Sequence, residues 1–235
     1  MKMTNCACCD NETTLSKSHA IPNSSFRRLF RKDSGKAFIS ENNEEPLRLT
    51  IDSGATIMLC VECEKLFNFN YDQPAQTLLQ KFKSNKITDI AKCENDFLAG
   101  FILSVIWRSS VSASKLYQAF SLDEGTAEAI KLTLRHVNFE EMWKIASFRI
   151  LRGNDKIIDF QDVILIPSYA YISKRLEIYF AMDGFILSVI FPSLRVTKLG
   201  KNGKIRRTKS FSPPKIEIST HPIFDAFVRA HQQVN

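Results

Sequence analysis

Glycine and proline are scarce, at 8 residues each in 235, which excludes collagen-like and proline-rich architectures. No internal repeat or low-complexity tract is present, so solenoid and disordered classes are set aside as well. No apolar run approaches the roughly 20 residues that a bilayer span needs; the longest uncharged one is Phe97 to Trp107. The amino-terminal Met-Lys-Met-Thr-Asn-Cys has no apolar signal core. These absences predict a cytoplasmic protein without a membrane partner. Histidine is rare too, with 4 residues, so imidazole chemistry has few places to reside.

Hydrophobic residues make up 44% of the chain and charged ones 24%, enough apolar material for a folded core. Lysine and arginine outnumber aspartate and glutamate by 32 to 25. The resulting positive balance suits a polyanionic partner such as nucleic acid.

Six cysteines without a secretory signal are expected to be reduced, which points to metal or redox use. Five fall in two clusters, Cys6-Ala7-Cys8-Cys9 and Cys60-Val61-Glu62-Cys63. A pair of cysteines two residues apart grips an ion from one tight turn, and tetrahedral zinc takes two such pairs. Cys6, Cys9, Cys60 and Cys63 are therefore expected to hold one structural Zn2+. Cys8 reads as a spare thiol, although it could replace Cys6. Cys93 reads as a small buried hydrophobe. The segment between the pairs has few large apolar residues, so a metal cross-link would supply the order that packing cannot.

The texture changes twice along the chain, giving an α+β expectation in three regions. Residues 1–72 are polar and cysteine-rich, with strand-like runs at Leu47 to Ile51 and Thr56 to Leu59. Residues 73–152 are helical, with Pro74 in a first turn and an apolar stripe of Phe97, Phe101, Ile102, Val105 and Ile106. Helices are predicted over Asp123 to Val137 and Phe139 to Leu151. Residues 153–235 form a β-rich region with runs at Val163 to Ile166, Leu176 to Ala181 and Phe185 to Phe191. Met182-Asp183-Gly184 and Asn202-Gly203 read as hairpin turns of an antiparallel sheet, followed by a short helix from Pro222 to His231. The second hairpin carries Lys198, Lys201, Lys204, Arg206, Arg207 and Lys209 without an acid between them. Such a strip either meets phosphates or protects an edge strand.

Between the cysteine pairs lies Leu15-Ser16-Lys17-Ser18-His19-Ala20-Ile21-Pro22, and Cys63 is followed by Glu64-Lys65-Leu66-Phe67-Asn68. This arrangement, over residues 6 to about 70, resembles the HNH or ββα-metal endonuclease family in its zinc-braced form. The resemblance implies a zinc-braced ββα module with His19 as the general base that activates water against a DNA phosphodiester. It further implies a catalytic Mg2+ or Mn2+ ion, with Glu64 and Asn68 as the other site positions. An imidazole suits the role because its ordinary pKa near 6.5 leaves it neutral and basic at cellular pH. His136, His221 and His231 read as ordinary surface or packing residues. Arg27, Arg28 and Arg31 follow His19 closely; on a helix they either neutralise phosphates beside the base or form a solvated face.

Two departures open an alternative. Ser18 stands where an acidic ligand is frequent, and Glu64 where histidine or asparagine is usual. The alternative is a catalytically degenerate, zinc-stabilised module that binds nucleic acid or protein. Members of this family often work beside a partner such as an ATPase in bacterial anti-phage defence, and the resemblance extends that expectation to this chain.

Overall fold

A helix that is apolar on every side must be surrounded by protein, and the segment Asn95–Val111 is such a helix. Every residue from Leu98 to Ser109 is buried. Each fully buried leucine, isoleucine or phenylalanine contributes about 1.5–3 kcal/mol, so this helix organises what packs around it. The computed structural model describes residues 3–32, 37–39, 48–50, 52–154, 163–172, 175–191, 203–218 and 221.

At the amino terminus β1 (Thr4–Asn5) and β2 (Glu12–Thr13) form a minimal antiparallel pair. β3 (Leu15–Ser18) is followed by α1 (Asn23–Lys32) and a second small pair, β4 (Ala37–Ile39) with β5 (Arg48–Thr50). β6 (Thr56–Cys60) returns antiparallel to β3 and runs directly into α2 (Val61–Phe67). The helix continues through one π-helical turn, Asn68–Asp72, into α3 (Gln73–Lys83), with Pro74 in its first turn as expected. The apolar helix is α4. Two capped helices follow. Asp123 accepts from the Thr126 amide at 2.9 Å at the start of α5 (Glu124–Arg135), and Asn138 from the Glu141 amide at 3.1 Å at the start of α6 (Phe139–Ile145).

The remaining strands are β7 (Ser147–Asn154), β8 (Leu165–Ile172), β9 (Arg175–Met182), β10 (Phe185–Ile190) and β11 (Lys215–Glu217). They form one sheet in the order β11-β7-β10-β9-β8. Its pairings are antiparallel except the last, where β11 joins β7 in parallel. Phe148, Ile150, Ile178, Phe180, Leu187 and Val189 face the core around α4, while Leu151, Leu165, Tyr179, Ala181 and Ile186 form a smaller cluster with Ile218. The β9–β10 turn is the expected tight hairpin, with Asp183 and Gly184 at φ 54° and 85°.

The fold departs from the sequence expectations in identifiable ways. The helix expected over Phe139 to Leu151 stops at Ile145, because from Ser147 the apolar positions Phe148 and Ile150 alternate with period two and enter the sheet. Cys93 is exposed, in a 3-10 turn (Lys92–Glu94) before the buried part of α4 begins. Boundaries at 72/73 and 152/153 fall inside the α2–α3 run and inside β7, and one apolar core extends from Cys6 to Ile205. Gly203 has the positive φ of 73° expected after Asn202. Beyond it, however, Ile205 donates to the Phe148 carbonyl at 3.0 Å, so this segment lies against β7. The first half of the expected basic hairpin and the helix from Pro222 lie outside the described residues. Among the described residues no helix is long and apolar enough to cross a membrane.

Gly100 shows why α4 tolerates a glycine at its centre. A Cβ there would meet Cδ1 and Cε1 of the Tyr71 ring at 2.4 and 2.6 Å, and that ring is itself fully buried, with its hydroxyl donating to the Leu134 carbonyl at 2.7 Å. Gly100→Ala gains about 1 kcal/mol of helix propensity but overpacks this contact. We expect a net loss of about 1–3 kcal/mol in denaturant unfolding; an unchanged or higher midpoint would show that the Tyr71 ring yields freely.

Candidate functional site

The amino-terminal cysteines sit on a tight knuckle. The Cys6 amide donates to the Asn11 carbonyl at 3.0 Å and the Asp10 amide to the Cys6 carbonyl at 2.9 Å, with Asp10 at φ 63°. The Ala7 amide donates to the Met58 carbonyl at 3.1 Å, which fastens the knuckle to β6. Cys60 ends β6 and caps α2, its sulfur accepting from the Cys63 amide at 3.4 Å, and its own amide donates to the Cys6 sulfur at 3.3 Å.

The sulfurs of Cys6, Cys9, Cys60 and Cys63 all lie within 4.8 Å of one another, and those of Cys9 and Cys60 are 3.9 Å apart. A tetrahedron with the 2.3 Å arms of a zinc–thiolate site has edges of about 3.8 Å. The donor set therefore fits a metal ion such as zinc. Burial raises the Cys6 thiol, but amides of the knuckle and of Cys60 outweigh it and bring it down to about 7. Burial and the neighbouring sulfurs push Cys60 and Cys63 up. Thiols that oppose one another's ionisation in this way are the arrangement a cation relieves. Cys8, fully buried and pushed by burial up to about 11, stays a thiol outside the set.

Beside this cluster lies an open cavity of about 440 Å³. His19, just past β3, forms one side; Glu64, Asn68 and Asp72 of the helical run form another, and Arg108 of α4 lies at the base. Glu64 and Asn68 are four residues apart and share a helix face. The buried Ser18 hydroxyl donates to Glu64 Oε2 at 2.7 Å, and His19 Nε2 is 3.0 Å from Ser53 Oγ. Burial, followed by the positive charges of Arg108 and Arg27, lowers the His19 pKa below its ordinary value, with Asp52 opposing. The imidazole is thus held neutral and able to accept a proton.

Two members of this cavity carry no motif. Arg108 is 1% exposed. It donates to Asp72 through Nη1 at 2.9 Å and Nη2 at 2.6 Å, and through Nη1 to the His19 carbonyl at 3.0 Å. The sequence expectations gave neither residue a role in a site. The available signal was an arginine directly after the longest apolar run, since a guanidinium buried with that run needs an anion.

The predicted phosphate contacts separate. Arg27 is exposed and acts on His19, and Arg31 is exposed on the same helix. Arg28 instead pairs with Asp183 at 2.6 and 3.0 Å, which ties α1 to the β9–β10 turn. Lys204 is half-buried beside Arg149 of β7, Arg206 is exposed, and Arg207 pairs with Asp96 at 3.2 Å. Asp96 and Arg108 are 12 positions apart on α4, about 18 Å along the axis, so the Arg207 segment lies at the opposite end of that helix from the His19 cavity. Lys198 and Lys201 lie outside the described residues. Comparison with family models, curated proteins and solved structures finds no match.

Removing Asp72 would leave the Arg108 guanidinium buried without its anion. Asp72→Ala is expected to cost about 3–5 kcal/mol of stability, and the double variant Asp72→Leu with Arg108→Met to regain most of it. Chemical denaturation of the two variants checks this. Equal losses in both would mean that an unpaired buried charge is not what Asp72→Ala costs.

Proposed function

We propose that the four thiols hold one structural zinc ion and that the adjoining cavity hydrolyses DNA phosphodiesters in the manner of an HNH, or ββα-metal, endonuclease. The observation that carries this reading is that His19, Glu64 and Asn68 line a single open cavity beside the four-thiol cluster. The antiparallel pair β3–β6 leading directly into α2 has the strand-strand-helix order of that family.

In this reading neutral His19 takes a proton from water. In the tautomer whose Nε2 donates to Ser53 Oγ, Nδ1 is the nitrogen that receives it. The resulting hydroxide attacks phosphorus in line, the P–O bond to the leaving strand breaks, and that oxygen is protonated from solvent. The cavity also contains Lys65, which attracts the phosphate. Arg108 is committed to Asp72 and to the His19 carbonyl, so it positions the base and does not bind substrate. A magnesium or manganese ion would be held by Glu64 and Asn68 with water and substrate phosphate, and would stabilise charge on the phosphate oxygens.

A second reading is favoured by a specific observation. Glu64 already accepts from Ser18, and among the described residues the four cysteines are the single cluster of three or more candidate metal donors. On that reading the chain is a zinc-stabilised binding module without catalysis, acting with nucleic acid or with a protein partner such as an ATPase.

Plasmid incubated with Mg2+ or Mn2+ separates the two. Cleavage that falls about 10²- to 10⁴-fold in His19→Ala supports the enzyme, and equal product from both proteins under every metal supports the binder. The depressed His19 pKa fixes the sign of the pH dependence. Activity requires the neutral ring, so kcat/KM stays on its plateau as pH falls through 6.5 and declines only below it. An acid limb centred above 6.5 would contradict the role of Arg108 and burial.

The zinc reading is tested by elemental analysis, with about one zinc per chain expected. Cys60→Ser or Cys63→Ser should release the metal and expose the amino-terminal 70 residues to protease, given that structural zinc can contribute on the order of 10 kcal/mol to small folded modules. Cys8→Ala and Cys93→Ser should retain it. Metal-free protein after purification without chelator would overturn the assignment.

A further inference from the structure

The π-helical turn Asn68–Asp72 places two consecutive residues in two adjoining depressions. Asn68 lines the His19 cavity, and Phe69 lines a neighbouring cleft of about 330 Å³ together with Pro74, Thr77, Leu78, Lys81 and Phe97. Gln73 lines both, so the two adjoin at that residue. Phe69 is 71% exposed, the most exposed large hydrophobic among the described residues. A single exposed phenylalanine would be ordinary on a surface. One that shares a cleft with a second ring, Phe97, next to a candidate catalytic cavity, calls for a ligand.

The chemistry of the cleft narrows the choice. Glu94, its acidic residue, is committed to the Ala91 amide at 2.9 Å. Lys81 makes no ion pair among the described residues, so the cleft offers a cation to an anionic occupant beside the Glu94 carboxylate. Lys65 in the first cavity and Arg27 near His19 have the same sign. An occupant must therefore offer a flat apolar face next to negative charge, and it must continue from a group seated at His19. A nucleotide chain does both, with a base on Phe69 and its phosphates towards the cations. An apolar peptide side chain supplies the face without the charge.

We infer that the Phe69 cleft stacks an unpaired nucleobase adjacent to the phosphodiester at His19, so that the preferred substrate is single-stranded nucleic acid. The inference rests on the phosphodiester reading of the His19 cavity. A paired base inside a duplex keeps its face covered by its neighbours and cannot lie on Phe69 without being unstacked.

The test uses the 235-residue chain carrying His19→Ala, so that binding is measured without turnover. Single-stranded DNA of about a dozen nucleotides and the duplex of the same sequence are titrated at one fixed salt concentration by fluorescence anisotropy. Adding Phe69→Ala should weaken single-strand binding about 5- to 100-fold, the range for loss of one base–aromatic stack, and leave duplex binding within about twofold. Adding Phe69→Trp instead should preserve affinity and give tryptophan emission that is quenched as the single strand binds. Phe69 is exposed, so circular dichroism should be unchanged in both variants. Single-strand affinity insensitive to Phe69→Ala, unquenched Phe69→Trp emission at saturation, or no single-strand binding at all would each overturn the inference. Phe69-dependent binding by a chain whose parent cleaves nothing would retain the cleft and remove the endonuclease. Cleavage by a chain whose binding ignores Phe69 would do the reverse.

Discussion

The fold turns on one buried guanidinium. Arg108 is reached by three separate pieces of chain: its own helix through Ser104, the π-helical turn through Asp72, and the end of β3 through the His19 carbonyl. Its carbon also lies 5.4 Å from the centre of the Phe67 ring, a favourable stacking position for a cation. A charge so placed is stable only when its donors are satisfied together. The three segments are therefore held in one geometry, and that geometry is the cavity. Burial and, after it, the same charge lower the pKa of His19, so the residue that builds the site also helps to keep its candidate base neutral.

The π-helical turn is the second constraint. A regular helix from Val61 to Lys83 would hold a single register on both sides of Asn68. Across the widened turn Phe67, Tyr71 and Asp72 are buried, Asp72 reaching Arg108, while Phe69 stays outside. Phe67 then stacks on Trp107 at 5.6 Å and Tyr71 meets Phe139 edge-on at 6.4 Å. Such turns store local irregularity and recur at functional positions for that reason.

What could be read from the sequence follows what is local. The cysteine spacing, the Pro74 helix start, the apolar stripe of α4 and the Asp183-Gly184 turn each depend on a few neighbouring residues, and each stands in the structure. His19, Glu64 and Asn68 were selected by resemblance, and they line one cavity. The Arg108–Asp72 pair was missed because its partners are 36 positions apart and neither residue belongs to a recognisable motif. The diversion of Arg28 into Asp183 was missed for the same reason, at a separation of 155. The end of α6 at Ile145 was legible only as a switch of apolar period from three-and-four to two, with no glycine or proline to mark it.

The uniform apolarity of α4 has a consequence for synthesis. Its last residue is Val111, whereas the sheet that covers it is completed on that side only with β10, at Ile190. Phe101 meets Phe180 of β9 at a ring separation of 6.2 Å, so one flank of the helix has no cover until that strand exists. At ordinary translation rates the intervening stretch of roughly 80 residues takes about 4–16 s to produce. During that interval a nascent chain carries an adhesive apolar cylinder. Until the sheet arrives, the cover within reach is the already synthesised α2–α3 helical run.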